Sequence, residues 1–418
     1  SLSIRFAILA SMACGSSKSY NLLRSEDVFS TLSCLKKLGV KIKLTKKFCE
    51  IQGRGINGYN FKKNLTLDAG NSGTLGRLIL ATLVNSPYKI KIIGDESLSK
   101  RDFSRVINPL KKFGVSFFPK GKFTLPLYIK GSHLLKPIKF YETKASAQVK
   151  TTVMLAALNA EGTTKIIANK SRDHTEILFK HLKIPIKIKK TKNKNFIEVE
   201  GKKNFKSFKY NIPSDISSSA FFIVTTLLSK NSSLIIKDVN VNPSRIGVIK
   251  ILNKMGAKII FKNKRIYKGE STADIFVKSC KYLKPINSPT KYNSSAIDEF
   301  LIIFLVAAKS KGISSFKGLS ELNQKESPRL KLGSKILNMM GVKTKLTDSS
   351  IKIYGKPDLE LNGKYIIKNY LKDHRIFMMS TIAALTFGGE WKIYDPDSIK
   401  SSFPSFLDLI KKIGGKIK

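Results

Sequence analysis

Residues 36–44 read KKLGVKIKL, and the fold follows from how often that phrase returns. It recurs as KKFGVSFF (111–118), LKIPIKIKK (182–190), NKMGAKIIF (253–261), NMMGVKTKL (338–346) and KKIGGKIK (411–418). Each copy reads as a helix end, a turn residue and a short strand in which apolar and polar residues alternate. The turn residues are Gly39, Gly114, Pro185, Gly256, Gly341 and Gly414, spaced 71 to 85 residues apart. Glycine there suits a helix C-terminal cap. Six such units are too long for a solenoid repeat and too regular for accident. They predict an α/β protein built from six copies of one unit, and 418 residues with 42% hydrophobic content suffice for two well-cored domains.

Each unit carries a second helix with a recurring start. The pattern places helix starts near Leu2, Gly73, Ser146, Ile216, Asp298, Pro328 and His374, and helix ends at Gly15, Gly162, Gly312 and Gly388. Small polar residues at these starts are ordinary caps. Arginine or lysine there is not, because the helix dipole disfavours a cation at its N-terminus. A bound anion resolves the conflict, facing both the backbone N–H groups and the cation.

Arginine use sharpens this point. Of 76 basic residues only 11 are arginine, and eight (Arg5, Arg24, Arg77, Arg101, Arg172, Arg245, Arg329, Arg375) lie in short patches rich in Gly, Ser, Asp, Glu or His. Lysine supplies bulk charge elsewhere, so a retained arginine implies a planar fork gripping a carboxylate or phosphate. Eight of them predict a site for a small, highly anionic ligand, with arginines far apart in sequence gathered around it.

The formal charge of +47 raises nucleic acid as a partner. The lysines are evenly scattered, however, with no basic tail and no aromatic-basic alternation that would stack bases. Cys14, Cys34, Cys49 and Cys280 lack CxxC spacing, and the four histidines form no HxxxH or HExxH. That argues against a zinc site and for a reducing compartment. The longest apolar run, 300–308, is too short to span a bilayer.

Several short stretches carry chemistry. Asp68 to Thr74 (DAGNSGT) is a glycine-rich turn entering an apolar helix. Lys325-Glu326-Ser327-Pro328-Arg329 puts two cations and a carboxylate in one turn, while SRDHTE (171–176) and DHR (373–375) combine carboxylate, imidazole and guanidinium. Asp298-Glu299 opens an apolar helix, where a desolvated carboxylate can act as a base; the plain alternative for Asp298 is an N-cap.

With these motifs in order the chain resembles the 5-enolpyruvylshikimate-3-phosphate synthase family over essentially its whole length. The resemblance rests on SLSIRFAILA, NLLRSED, GNSGTLGR, GDESLSKR, SAQVK, SRDHTE, PSDISSSAFF, NPSRIG, IDEF, KESPR, DHRIFM and SSFPSF. SAQVK and NPSR are closer to the bacterial class II branch. It implies a two-domain inside-out α/β barrel, each domain three βαβαββ repeats, here expected at 1–227 and 228–418. The implied reaction moves the enolpyruvyl group of phosphoenolpyruvate to the 5-hydroxyl of shikimate 3-phosphate and releases phosphate, in chorismate and aromatic amino acid biosynthesis. It needs neither a metal nor an organic cofactor.

By the same resemblance Asp298 is the proton acceptor, Glu326 the proton donor and Lys325 the cation beside the hydroxyl. The shikimate phosphate falls to Ser1, Arg5, Ser146, Ala147, Gln148, Ser171, Arg172, Asp298 and Lys325. Phosphoenolpyruvate falls to Asn71, Gly73, Arg101, Gln148, Arg329, Arg375 and Lys400, with Gly73 expected to leave backbone space for it. Loss of Arg329 or Arg375 is expected to cripple binding without unfolding the chain. The family's lysine-bearing segment would precede Ser1, so the sequence reads as N-terminally truncated. Asp102 after Arg101, Leu75-Gly76 and Pro328 depart from the family pattern, and the C-terminal lysine aligns with Ser401, next to Lys400. The expected protein is a cytoplasmic monomer with no membrane or nucleic-acid partner. Two rivals share the scaffold: a UDP-N-acetylglucosamine enolpyruvyl transferase, whose reactive loop cysteine has no counterpart between Cys49 and Cys280, and a basic nucleic-acid-binding protein.

Overall fold

The structure, a computed structural model, describes residues 2–417. The chain divides into two compact units, Ser1–Ile212 and Pro213–Lys418. The division falls at 212/213 rather than 227/228. The helix Ile216–Leu228 packs against helices Phe300–Lys309 and His374–Phe387 and so belongs to unit 2.

In unit 1 three helices, Leu2–Met12, Gly73–Thr82 and Ala147–Ala157, are buried over most of their length, and the second packs on the other two. The sequence dictates this, since runs such as Ile4 to Met12 offer no polar stripe to water. Three four-stranded sheets accompany them, each mostly antiparallel with one parallel edge strand. The parallel pairs are Cys14–Tyr20 with Lys209–Asn211, Thr66–Asp68 with Ile90–Ile93, and Lys139–Glu142 with Thr163–Asn169. Strands such as Leu127–Lys130 alternate buried and exposed residues, so lysines take the outer face. Helices lie inside and sheets outside.

Unit 2 repeats the plan around helices Ile216–Leu228, Phe300–Lys309 and His374–Phe387. Two antiparallel three-stranded sheets and one parallel pair, Leu361–Ile367 with Gly388–Ile393, flank them. Parallel bridges Ser214–Val239 and Asn287–Ser315 occupy the place of the fourth strand in the first two. Phe300, Phe304 and Phe316 pack with ring centroids 5.3 to 6.1 Å apart. Burying each such ring contributes about 1.5–3 kcal/mol.

All six recurring phrases form the same C-terminal cap. In the first, the Gly39 N–H donates to the Lys36 carbonyl (2.9 Å) and the Val40 N–H to the Leu35 carbonyl (3.1 Å). That pair of bonds defines the Schellman motif, and the buried Val40 and Leu35 supply its apolar contact. The equivalent six-to-one bonds run from Val115 to Leu110, Ile184 to Phe179, Ala257 to Leu252, Val342 to Leu337 and Gly415 to Ile410. Five copies place glycine in the left-handed position. In the third, Pro185 is not the turn residue: Lys183 takes it, with φ +56°. Proline's fixed negative φ cannot serve there.

The expected glycine ends are corrected too. Only Gly388 caps its helix; Gly15, Gly162 and Gly312 lie three to five residues beyond the last helical residue, at left-handed turns into strands. Lys183→Gly relieves a left-handed lysine at the cost of a more flexible unfolded chain. It should raise stability by about 0.5–1 kcal/mol, read as a higher urea midpoint at unchanged slope.

Candidate functional site

In unit 2 the chemistry-bearing turns meet around one buried guanidinium. Arg329 opens the helix Arg329–Met339 and is 2% exposed. Its Nε donates to Asp373 Oδ2 (2.8 Å) and its Nη2 to Asp373 Oδ1 (3.2 Å), a bidentate grip; Nη2 also donates to Glu326. Nη1 lies 3.6 Å from Asp298 Oδ1, and Lys325 Nζ lies 3.4 Å from the same oxygen. Ser327 donates its hydroxyl to Asp373 at 2.8 Å. Asp373 is also the N-cap of helix His374–Phe387, accepting from the Arg375 N–H at 2.9 Å. The Arg375 guanidinium then donates to the Asp298 carbonyl at 2.8 Å. A cation at a helix start is thus met by the protein's own carboxylates.

Asp298 is no cap. A short helix, Asn293–Ala296, precedes it, and Glu299 holds the N-cap position of Phe300–Lys309 without a side-chain cap bond. The Asp298 carboxylate faces Lys325 and Arg329 instead. Lys400 sits on the turn Pro396–Ser401 and pairs with Asp397 at 2.8 Å.

Unit 1 holds two further groups of the expected residues. Arg5 donates to Thr175 (3.0 Å) and Thr151 (3.4 Å), whose hydroxyls bond each other at 2.7 Å. Beside them Lys150 and Glu176, both buried, pair at 2.5 Å and tie helix Ala147–Ala157 to helix His174–His181. The second group surrounds Gly73. Arg77 donates to the Gly73 carbonyl (2.9 Å) and to Gln148 (3.1 Å), and Gln148 donates to Thr74 (3.0 Å). A Cβ on Gly73 would stand 2.8 Å from Arg101 Nη1 and 3.0 Å from Arg77 Nη1. The room at Gly73 is therefore taken by two guanidinium groups.

Asn71 donates to Asp95 at 2.5 Å, and Ser72 caps the Gly73 helix by accepting from Leu75 N–H. Ser146 caps the helix that Ala147 opens. Ser171 and Arg172 are half-buried on the loop before helix His174–His181. Ser1 lies outside the described residues.

The family model described as EPSP synthase (3-phosphoshikimate 1-carboxyvinyltransferase) matches residues 1–410. A 3-phosphoshikimate 1-carboxyvinyltransferase of Ruthia magnifica is 40% identical, covering 100% of this chain and 94% of the relative. The EPSP synthase structure from Acinetobacter baumannii superposes with a TM-score of 0.87 at 34% identity, over 100% of this chain and 94% of that one. The chain belongs to the EPSP synthase family. The enolpyruvyl transferase NikO from Streptomyces tendae, 13% identical with a TM-score of 0.76 over 100% of this chain and 93% of that one, shares the fold.

Several residues of this family member's clusters escaped sequence reading. Thr151, Thr175 and Thr74 look like generic helix residues, because their partners lie 24 to 170 positions away. Asp373 was visible as a helix start and as the carboxylate of the DHR stretch, but nothing nearby in sequence shows that it anchors Arg329. Cysteine plays no part in these clusters: burial pushes the Cys34 thiol up to about 12 and that of Cys49 to about 11. Among the described residues no helix is long and apolar enough to cross a membrane.

Burial alone would raise the Asp373 carboxyl, but the Arg329 guanidinium outweighs it and holds Asp373 below the usual range. Burial pushes the His374 imidazole down to about 4.

Two predictions follow from this electrostatic balance. Arg329 neutralises carboxylates as well as being a candidate ligand, so Arg329→Ala should cost about 3–5 kcal/mol of stability. Arg375→Ala, which forfeits a bond to a carbonyl, should cost about 1 kcal/mol; chemical denaturation of both variants compares them. His374 is neutral in the fold, whereas the unfolded chain takes up a proton below pH 6.5. Its contribution is present above 6.5 and lost as pH falls towards about 4. His374→Gln should flatten the decline of the urea midpoint across that window.

Proposed function

We propose that the Asp298, Lys325, Glu326 and Arg329 cluster performs the family's reaction on the substrates that the family name states. The enolpyruvyl group of phosphoenolpyruvate passes to the 5-hydroxyl of shikimate 3-phosphate, and phosphate leaves. One observation carries the reading: a single guanidinium touches Asp298 through Nη1 and Glu326 through Nη2. Two carboxylates are thereby held a guanidinium's width apart, where one can give a proton and the other take one.

Glu326 protonates the methylene carbon of phosphoenolpyruvate, which leaves the adjacent carbon cationic. The 5-hydroxyl oxygen attacks that carbon while Asp298 accepts the hydroxyl proton, and the tetrahedral adduct forms. Elimination then returns a methyl proton to a carboxylate and expels phosphate. Lys325, 3.4 Å from Asp298, stabilises the negative charge that develops at the hydroxyl oxygen.

Arg5, Ser146, Ala147, Gln148, Ser171 and Arg172 are assigned to shikimate 3-phosphate, with Ser1, Asp298 and Lys325 completing the set. Asn71, Gly73, Arg101, Arg329, Arg375 and Lys400 are assigned to phosphoenolpyruvate. Gln148 serves both. The supporting feature is chemical: both ligands are polyanions, and guanidinium forks and helix N-termini are the groups that hold them. The protein acts in the cytoplasm as a monomer, a reading supported by four free thiols and by one chain carrying both residue sets.

The test is phosphate release by the full-length protein with both substrates. Asp298→Asn and Glu326→Gln should each lower turnover by about 10²–10⁴-fold while leaving the melting temperature nearly unchanged. Parallel losses of melting temperature and activity would mark these residues as structural and defeat the assignment.

A further inference from the structure

The sequence NPSRIG, residues 242–247, has no role in the reading above, yet it backs directly onto the Asp298 turn. The Arg245 side chain, 4% exposed, sends its Nη2 to Ser217 Oγ at 2.7 Å and to Asp215 Oδ1 at 3.2 Å. Ser217 in turn donates its hydroxyl to the carboxylate of Glu299, which is 1% exposed. Glu299 is the residue after Asp298. The two neighbouring carboxylates diverge, Asp298 towards Lys325 and Arg329 and Glu299 towards Ser217.

A second contact fixes the same turn from the same segment. Gly247 opens the helix Gly247–Lys254, and a Cβ there would stand 2.3 Å from Ser295 Oγ and 2.9 Å from the Ala296 backbone nitrogen. Only glycine lets this helix approach the backbone just ahead of Asp298 so closely. The segment is itself pinned. Asn242 donates to the fully buried Glu270 at 3.1 Å, Asn240 does so at 3.0 Å, and Arg245 N–H donates to the Asn242 carbonyl at 2.8 Å.

We propose that Glu299, held by Ser217 and Arg245, is a positioning residue that sets the orientation of the Asp298 carboxylate. A buried carboxylate is costly unless charged or polar donors meet it. Glu299 is therefore held to the arrangement in which the Ser217 hydroxyl meets it, and the peptide joining it to Asp298 inherits that arrangement. Arg375 fixes the other side of this peptide through the Asp298 carbonyl. Arg245 is thus an arginine kept for an internal carboxylate network and not for substrate. The inference rests on Asp298 being the proton acceptor.

The experiment compares Glu299→Gln, Ser217→Ala and Asp298→Asn in the full-length protein, alone and combined, with kcat and both KM values measured. Misplacing a reacting group by about 1 Å can cost about 10²-fold in rate. Glu299→Gln and Ser217→Ala should therefore lower kcat by roughly 10–100-fold and leave each KM within about twofold. Added to Asp298→Asn, either change should cost almost nothing further, because residues acting through one group are not additive. Should Glu299→Gln not fold, Ser217→Ala cuts the same link while keeping the buried carboxylate. The inference is overturned if Ser217→Ala leaves kcat intact, or if its loss adds in full to that of Asp298→Asn. A different failure, Asp298→Asn turning over normally, would reject Asp298 as the base and thereby remove what Glu299 was proposed to position.

Discussion

The Arg329 guanidinium, 2% exposed and shared by Asp373, Glu326 and Asp298, is the interaction on which unit 2's chemistry depends. A lysine could not replace it. One ammonium cannot make a bidentate bond to Asp373 and still point separate donors at two further carboxylates. Through Asp373 the same group fixes the start of the His374 helix, and that start aims Arg375 at the Asp298 carbonyl. Asp298, Glu326 and the helix terminus at Asp373 are therefore one electrostatic object.

This explains where the chain spends its charges. The formal +47 is carried mainly by lysines on the outer faces of strands and on exposed helix faces. Pairs there, such as Lys100 with Glu96, are exposed on both sides and contribute little. Some buried charges meet an opposite charge: Lys150 with Glu176, Arg245 with Asp215, Arg329 with three carboxylates. The lysine surface sets a positive field that favours encounter with anionic substrates.

Much of the fold was legible because each recurring phrase contains its own stop signal. Five glycines and one lysine close six Schellman caps, and the helix starts at Leu2, Gly73, Ile216 and His374 fall where the capping pattern puts them. Pro185 misled because a turn residue was read from its likeness to glycine, while the left-handed φ went two residues earlier to Lys183. Local sequence could likewise call Asp298 a cap, since nothing nearby reveals that Arg329 and Arg375 will reach it. Ser217 and Glu299 were harder still. One is an ordinary serine in a first helical turn and the other a carboxylate in a capping position, and only an 82-residue separation closed in space joins them.

The two units also solve different electrostatic problems. Around Arg5 and Arg77 the bonding partners include hydroxyls, an amide and a carbonyl, which orient a guanidinium. Around Arg329 the partners are carboxylates, which both orient and neutralise. Gripping a phosphate calls for the first arrangement, since the ligand brings the negative charge itself. Moving a proton calls for the second, because an acid and a base must be held within reach of cations that decide which carboxylate keeps its charge.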